Sequence, residues 1–132
     1  MERPVKRVVS AEIQRDGRWL ITQRGAHAAL PLLWEFPGGR VREGELEESA
    51  LVRTLRHRIG VDVEPTERLL EVRHDYEDYT VVLAVWRCDL GEQEPYAASV
   101  AGIAWVDPDD LADYPFPGAD QKTVDLLLRS DG

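Results

Sequence analysis

The sequence predicts an α/β protein, in which extended β-branched segments alternate with two segments of helical period. Three observations carry that expectation. Residues 80–88, TVVLAVWRC, form the most strongly β-branched run and read as a central strand. Asp16-Gly17 separates two strand-like segments and is a strong hairpin signal. Ala50, Leu51, Leu55 and Ile59 recur at helical spacing before Gly60, which predicts a helix with its buried side on those residues and its end at the glycine.

The first hairpin strand, residues 5–14, carries Val5, Val8, Val9, Ala11 and Ile13 with polar interruptions. In its partner, residues 18–24, alternation puts Trp19, Ile21 and Gln23 on one face and Leu20, Thr22 and Arg24 on the other. Residues 25–30 are a loop of small residues around a solvated His27. Trp34-Glu35-Phe36 reads as a strand end, Pro37-Gly38-Gly39 as a turn, and residues 40–44 as a charged hairpin leading into the helix. Beyond Gly60, residues 61–63 start an extended segment and residues 69–74 a strand; residues 76–79 are an acidic, aromatic turn. Residues 91–99 form a loop and 103–106 a short strand, after which Asp107 is placed to cap a helical turn at 108–112. YPFPG, residues 114–118, is a rigid loop, and residues 120–129 form an amphipathic helix with Val124, Leu127 and Leu128 buried. All four tryptophans fall in or beside strands, and Cys88 reads as a buried thiol.

The 132 residues suit one domain, 1–132, with 43% hydrophobic and 31% charged residues. There is no apolar run of about 18 residues and no apolar leader, so the expectation is a cytoplasmic protein without a membrane partner. A formal net charge of -9 repels polynucleotides, so nucleic acid polymers are poor partners. A small nucleotide differs, because a local basic pocket can hold it on an acidic protein. Arg24, Arg40, Arg42, Arg53 and Arg58 supply such a local excess. No feature of the sequence sets an oligomeric state.

A strand, a glycine loop and a helix in that order suit phosphate handling, since Gly38 and Gly39 let backbone N–H groups approach an anion. The spacing is more specific: five residues lead from Gly39 to Glu45, seven more to Arg53, and Gly60-Val61 closes the segment. This resembles the Nudix box, G-x5-E-x7-R-E-U-x-E-E-x-G-U with U aliphatic, and WEFPGG resembles the MutT-type branch, the 8-oxo-dGTP pyrophosphohydrolases. Gly39, Glu45, Arg53, Leu55, Gly60 and Val61 match; Thr54, His57 and Arg58 stand where the family carries glutamate. The resemblance extends from about residue 5 to about residue 128. It implies a Nudix-like α/β/α sandwich, a mixed β-sheet between helices.

In that family the three glutamates hold divalent metal against a pyrophosphate. Magnesium wants a near-octahedral shell of hard oxygen ligands. Threonine offers a neutral hydroxyl, histidine suits softer metals, and arginine has no lone pair to give. No metal is therefore expected at Thr54, His57 and Arg58, which share one helix face, and no cofactor is expected unless the chain is active, in which case it is Mg or Mn. A further metal glutamate of the family falls near Ser99, where no carboxylate is present; Glu92 and Glu94 are nearby in sequence. The resemblance makes Glu45 and Arg53 a scaffold pair. It places Arg24, Phe36, Asp78 and Asp120 around the nucleotide, Phe36 packing on a ring and Asp120 reading the purine edge. Each has a plainer reading: core for Phe36, surface charge for Arg24, turn for Asp78, helix N-cap for Asp120. Arg58 would meet phosphate oxygens, or else pair with Glu45 or Glu48.

The expected function is thus a nucleotide-binding domain with little or no pyrophosphohydrolase activity. The first alternative is an active hydrolase of a nucleoside di- or triphosphate, with Glu45, Arg53 and His57 as its working residues and a metal displaced onto Glu43, Glu45 or Glu48. The second is an interaction domain without a ligand.

Overall fold

A computed structural model describes residues 3–131. In chain order it contains β1 (Val5–Glu12), β2 (Gln14–Arg15), β3 (Arg18–Gln23), β4 (Trp34–Glu35), β5 (Gly38–Arg40), α1 (Glu47–Ile59), β6 (Glu64–Asp75), β7 (Thr80–Asp89), β8 (Gly102–Val106), a 3₁₀ turn (Pro108–Asp113) and α2 (Gly118–Asp131). The β2–β3 hairpin turns through Asp16 and Gly17, both at positive φ (53° and 77°), the conformation a two-residue type I′ turn requires.

The strands form two sheets. One is mixed, in the order β5-β1-β7-β6: β1 pairs antiparallel with β5 and parallel with β7, from Val5 opposite Thr80 to Glu12 opposite Arg87. The other is antiparallel, with β3 paired to β2, β4 and β8. The β-branched run expected to be a central strand is β7, flanked by β1 and β6.

Strand parity explains the layers. Val9, Ala11 and Ala84 point toward α1 and join Leu51, Leu55 and Ile59 in one core. Val81, Leu83 and Val85 point the other way, with Val72 and Ala119 of α2. A third cluster, Trp19, Ile21, Phe36, Val124 and Leu127, fills the space between the second sheet and α2. Ala50, Leu51, Leu55 and Ile59 are all 0% exposed, as their spacing predicts. Burial of each of the large aliphatics contributes about 1.5–3 kcal/mol, so α1 is held by its packed face.

α1 ends at Gly60, whose φ of 70° and close approach to the Tyr96 ring both require glycine; a Cβ there would lie 2.1 Å from that ring. The loop before β8 finishes the helix. Tyr96 N–H donates to the Ile59 carbonyl, Ala98 and Ser99 N–H to that of Arg58, and Ser99 Oγ to that of His57. Those carbonyls have no partner within the helix, so the loop satisfies them.

Several local expectations change. The 5–14 segment divides into β1, which joins the mixed sheet, and β2, which alone pairs with β3, and Gly38-Gly39 belongs to strand β5 instead of a turn. β6 is longer than residues 69–74, carried through two irregularities in its register with β7. Asp107 sits at the start of the 3₁₀ turn but makes no capping bond, its carboxylate lying 3.5 Å from Arg18 instead. Leu128 is 37% exposed, because the buried stripe of α2 runs through Ala119, Thr123, Val124 and Leu127. Asp120 is inside α2, which begins at Gly118, and so is not its N-cap. Among the described residues no helix is long and apolar enough to cross a membrane.

Candidate functional site

β5 lies so close to its neighbours that only glycine fits twice in succession. A Cβ on Gly38 would stand 1.9 Å from the Val9 carbonyl oxygen of β1, and one on Gly39 would stand 2.6 Å from Thr54 Cγ2 of α1. The two glycines therefore act by close packing, drawing the second half of α1 against the strand and bringing Arg58 to the wall of a cleft. That cleft has about 780 Å³ of empty volume and opens to solvent. Gly38 and Gly39 line it with Arg24, Glu35, Arg58 and Asp120.

Glu35 organises the charges in the cleft. One carboxylate oxygen lies 2.9 Å from Arg24 Nη1 and the other 3.5 Å from Arg58 Nη1. Arg24 is fixed further by donating from Nε to the Ala29 carbonyl at 2.6 Å. Asp120 is 8% exposed; burial, reinforced by the Glu35 charge, pushes its carboxyl well above the usual carboxylate range, against the opposing pull of Arg24 and of the Phe36 and Asp120 backbone N–H groups. With Lys6 and Arg40 completing the rim, four basic side chains line the cleft beside the Glu35 and Asp120 carboxyls, the latter pushed above its usual range.

Beside the cleft, Arg53 grips Glu45 with two bonds, Nε to Oε2 at 2.9 Å and Nη2 to Oε1 at 2.8 Å, and Nη2 also reaches the Arg40 carbonyl. Arg42 N–H adds a bond to Glu45 Oε1. The Arg53 guanidinium, with that amide, holds the Glu45 carboxyl at about 2. This is a clamp between the 40–45 turn and α1, and it leaves Glu45 committed to arginine.

The three substituted box positions lie on one side of α1 but differ in exposure. Thr54 is buried and its hydroxyl donates to the Leu51 carbonyl, His57 is exposed, and Arg58 is half-buried. With a buried hydroxyl, an exposed imidazole and a guanidinium, this donor set does not fit a hard divalent cation. Of the other carboxylates Glu43 lines one groove with Thr54, His57 and Arg58, Glu94 pairs with Arg15, and among the described residues no three His, Cys, Asp or Glu side chains gather as a metal site would need.

The structure brings Arg24, Gly38, Gly39, Arg58 and Asp120 together in the lining of one cleft and treats two other positions differently. Phe36 borders the cleft, but its ring is 1% exposed, edge-on to Trp19 and stacked at 6.3 Å on Phe116, so it has no free face for a base. Asp78 is exposed on the β6–β7 turn and does not line the cleft; its neighbours Tyr76 and Tyr79 do. Arg58 pairs with Glu35 and with neither Glu45 nor Glu48. Glu35 itself is absent from the sequence-based candidates. The signal for it is its place between Trp34 and Phe36, where alternation turns it away from the aromatic core.

The sequence profile of the NUDIX domain family matches residues 8–126. The chain is 32% identical over 121 residues to the CTP pyrophosphohydrolase of Escherichia coli K12, covering 92% of this chain and 90% of that protein. It is 28% identical over 109 residues to the 8-oxo-dGTP diphosphatase of the same organism, covering 83% and 84%. Its structure superposes on that of a MutT NUDIX hydrolase from Burkholderia pseudomallei with a TM-score of 0.82 and 26% identity, covering 92% of this chain and 96% of the other. By its fold, its box spacing and these likenesses, the chain belongs to the Nudix family, in its MutT-like branch.

Proposed function

We propose that this Nudix domain binds a nucleotide through arginine in place of divalent metal, with little or no pyrophosphohydrolase activity. The observation that carries the reading is the Arg24–Glu35–Arg58 array in the cleft, with Arg58 at a position where the family has a metal-ligating glutamate. Arg58 is a fixed cation with several donors, and a phosphate oxygen competes with Glu35 for them. Arg24 and Glu35 orient each other by their ion pair, and Asp120, whose burial disfavours its charged form, lines the same cleft. The relatives' substrates, CTP and 8-oxo-dGTP, put nucleoside triphosphates first among ligands to try.

A second reading is favoured by family membership itself: hydrolysis assisted by Mg or Mn, with His57 as base and metal held by Glu43 or Glu48. It requires one imidazole and scattered carboxylates to replace a cation that supplies both charge stabilisation and the nucleophile.

The test is hydrolysis of ordinary and oxidised nucleoside triphosphates with Mg²⁺ or Mn²⁺, beside a variant carrying Thr54→Glu, His57→Glu and Arg58→Glu. The expected result is a silent natural protein that binds nucleotide in chelator, and turnover gained by the variant. Turnover of the natural protein at about 1 per second or more overturns the proposal. If no nucleotide raises the melting temperature, the domain is an interaction module without a ligand, since ligand at 100 times its dissociation constant adds about 2.7 kcal/mol.

A further inference from the structure

The mixed sheet ends on one side at β6, which pairs with β7 and with no other strand among the described residues. An edge strand carries backbone N–H and C=O groups that no neighbouring strand satisfies. The β6–β7 hairpin fixes which residues present them. Tyr76 N–H donates to the Tyr79 carbonyl, whereas Thr80, opposite Asp75, turns its N–H to the Pro4 carbonyl. Hydrogen-bonded and non-bonded pairs alternate from that point, so Asp75, Arg73 and Glu71 turn their backbone groups outward. The Arg73 carbonyl shows this direction, since it accepts from Lys122 Nζ of α2 at 3.0 Å. The start of β6 is blunted: Pro65 brings no donor, and the register with β7 shifts between Pro65 and Glu67 and again between Arg68 and Leu70. The regular stretch left to pair is 70–75.

We propose that this stretch is an interface with a second copy of the chain, the two β6 strands pairing antiparallel about Val72 and joining the two mixed sheets into one. The charge order carries the choice of partner. Glu71 and Arg73 flank Val72, are both exposed and share one face of the strand. With Val72 opposite Val72, Glu71 of each copy meets Arg73 of the other, so opposite charges face each other on both sides of the two-fold axis. Those are also the residues whose backbone groups point outward, so one register satisfies the backbone and the charges together. An unrelated strand gains nothing from that symmetry. Both side chains are available: Arg73 makes no ion pair among the described residues, and Arg68, which Glu71 holds at 2.9 Å, keeps Glu47 as a partner when Glu71 turns outward. The edge is accessible, because an open groove of about 620 Å³ of empty volume runs beside Val72 and Arg73 under Lys122 and Leu126 of α2. Lys122 can stay in place, since a carbonyl oxygen has two lone pairs and accepts a second donor from the partner strand. The paired stretch is short, so the dimer dissociates on dilution.

The experiment is sedimentation velocity of the full chain from micromolar to near-millimolar concentration, with the natural protein beside Glu71→Arg and Arg73→Glu. The expected result is a mean mass that rises with concentration from 15.0 kDa toward twice that value. Each variant alone sets like charges opposite each other on both sides of the axis and should weaken association about tenfold or more. An equimolar mixture of the two variants should recover it, because each strand then meets the charge opposite to its own; a chain carrying both substitutions should recover it as well. Melting curves of the dilute variants confirm that they fold, and amide exchange at Glu71 and Arg73, but not at Val72, should slow as concentration rises. A natural protein that stays monomeric throughout overturns the proposal. A dimer that both single variants leave intact places the contact elsewhere and overturns it too, as does weakening in the single variants without recovery in the mixture.

Discussion

Replacing Arg58 by glutamate reverses one charge at the wall of the cleft. Arg58 Nη1 is 3.5 Å from Glu35 Oε1, and the Glu35 side chain is 13% exposed. A carboxylate at position 58 is shorter than arginine and faces Glu35 at about 5 Å, where two like charges repel by about 3 kcal/mol at an effective dielectric of 20 and by under 1 kcal/mol in bulk water. Arg58 is 35% exposed, so the effect lies between these limits, at about 1–2 kcal/mol of lost stability. For a chain of this size that is a fall in Tm of about 3–8 °C. Nucleotide affinity in chelator should drop further, by about thirtyfold or more, since a charge-assisted bond to phosphate is exchanged for repulsion. Differential scanning fluorimetry gives the first number and calorimetric titration the second. An unchanged affinity refutes a phosphate contact for Arg58, and an unchanged Tm refutes the coupling to Glu35.

Three further outcomes follow from the geometry. Asp120→Asn should raise Tm by a few degrees at neutral pH: a carboxyl whose folded value lies above its ordinary 3.8 stabilises fully below that value and loses its contribution as pH rises through the folded value, so the gap between variant and natural protein should widen as pH rises above 3.8 and close in acid. Glu45→Gln should shift acid unfolding to higher pH, because a carboxyl held at about 2 against an ordinary 4.5 stabilises above 4.5 and gives that up as pH falls toward 2, which circular dichroism would follow. Gly39→Ala should cost about 1–3 kcal/mol in denaturant unfolding through its clash with Thr54 Cγ2, and Thr54→Ser in the same chain should restore part of the loss; purely additive effects would show that the contact is not what fixes β5 to α1.

What the sequence by itself determined is local. The hairpin at Asp16-Gly17, the helix ending at Gly60, the buried stripe of α1 and the absence of carboxylates at positions 54, 57 and 58 all follow from turn chemistry, period and spacing within a few residues. The Glu45–Arg53 clamp followed from the family resemblance over one short segment. Tertiary structure decided the rest. Glu35 meets Arg58 across 23 positions of sequence, and no periodicity within β4 or α1 says that those two elements face each other. The same holds for Phe36, spent on Trp19 and Phe116, for Asp78, turned out on its hairpin, and for Asp120, buried where α2 closes over the cleft. Period fixes which face of an element a side chain occupies; packing between distant elements fixes what that face meets, and with it whether a carboxylate there is paired, exposed or buried so that its charge is disfavoured.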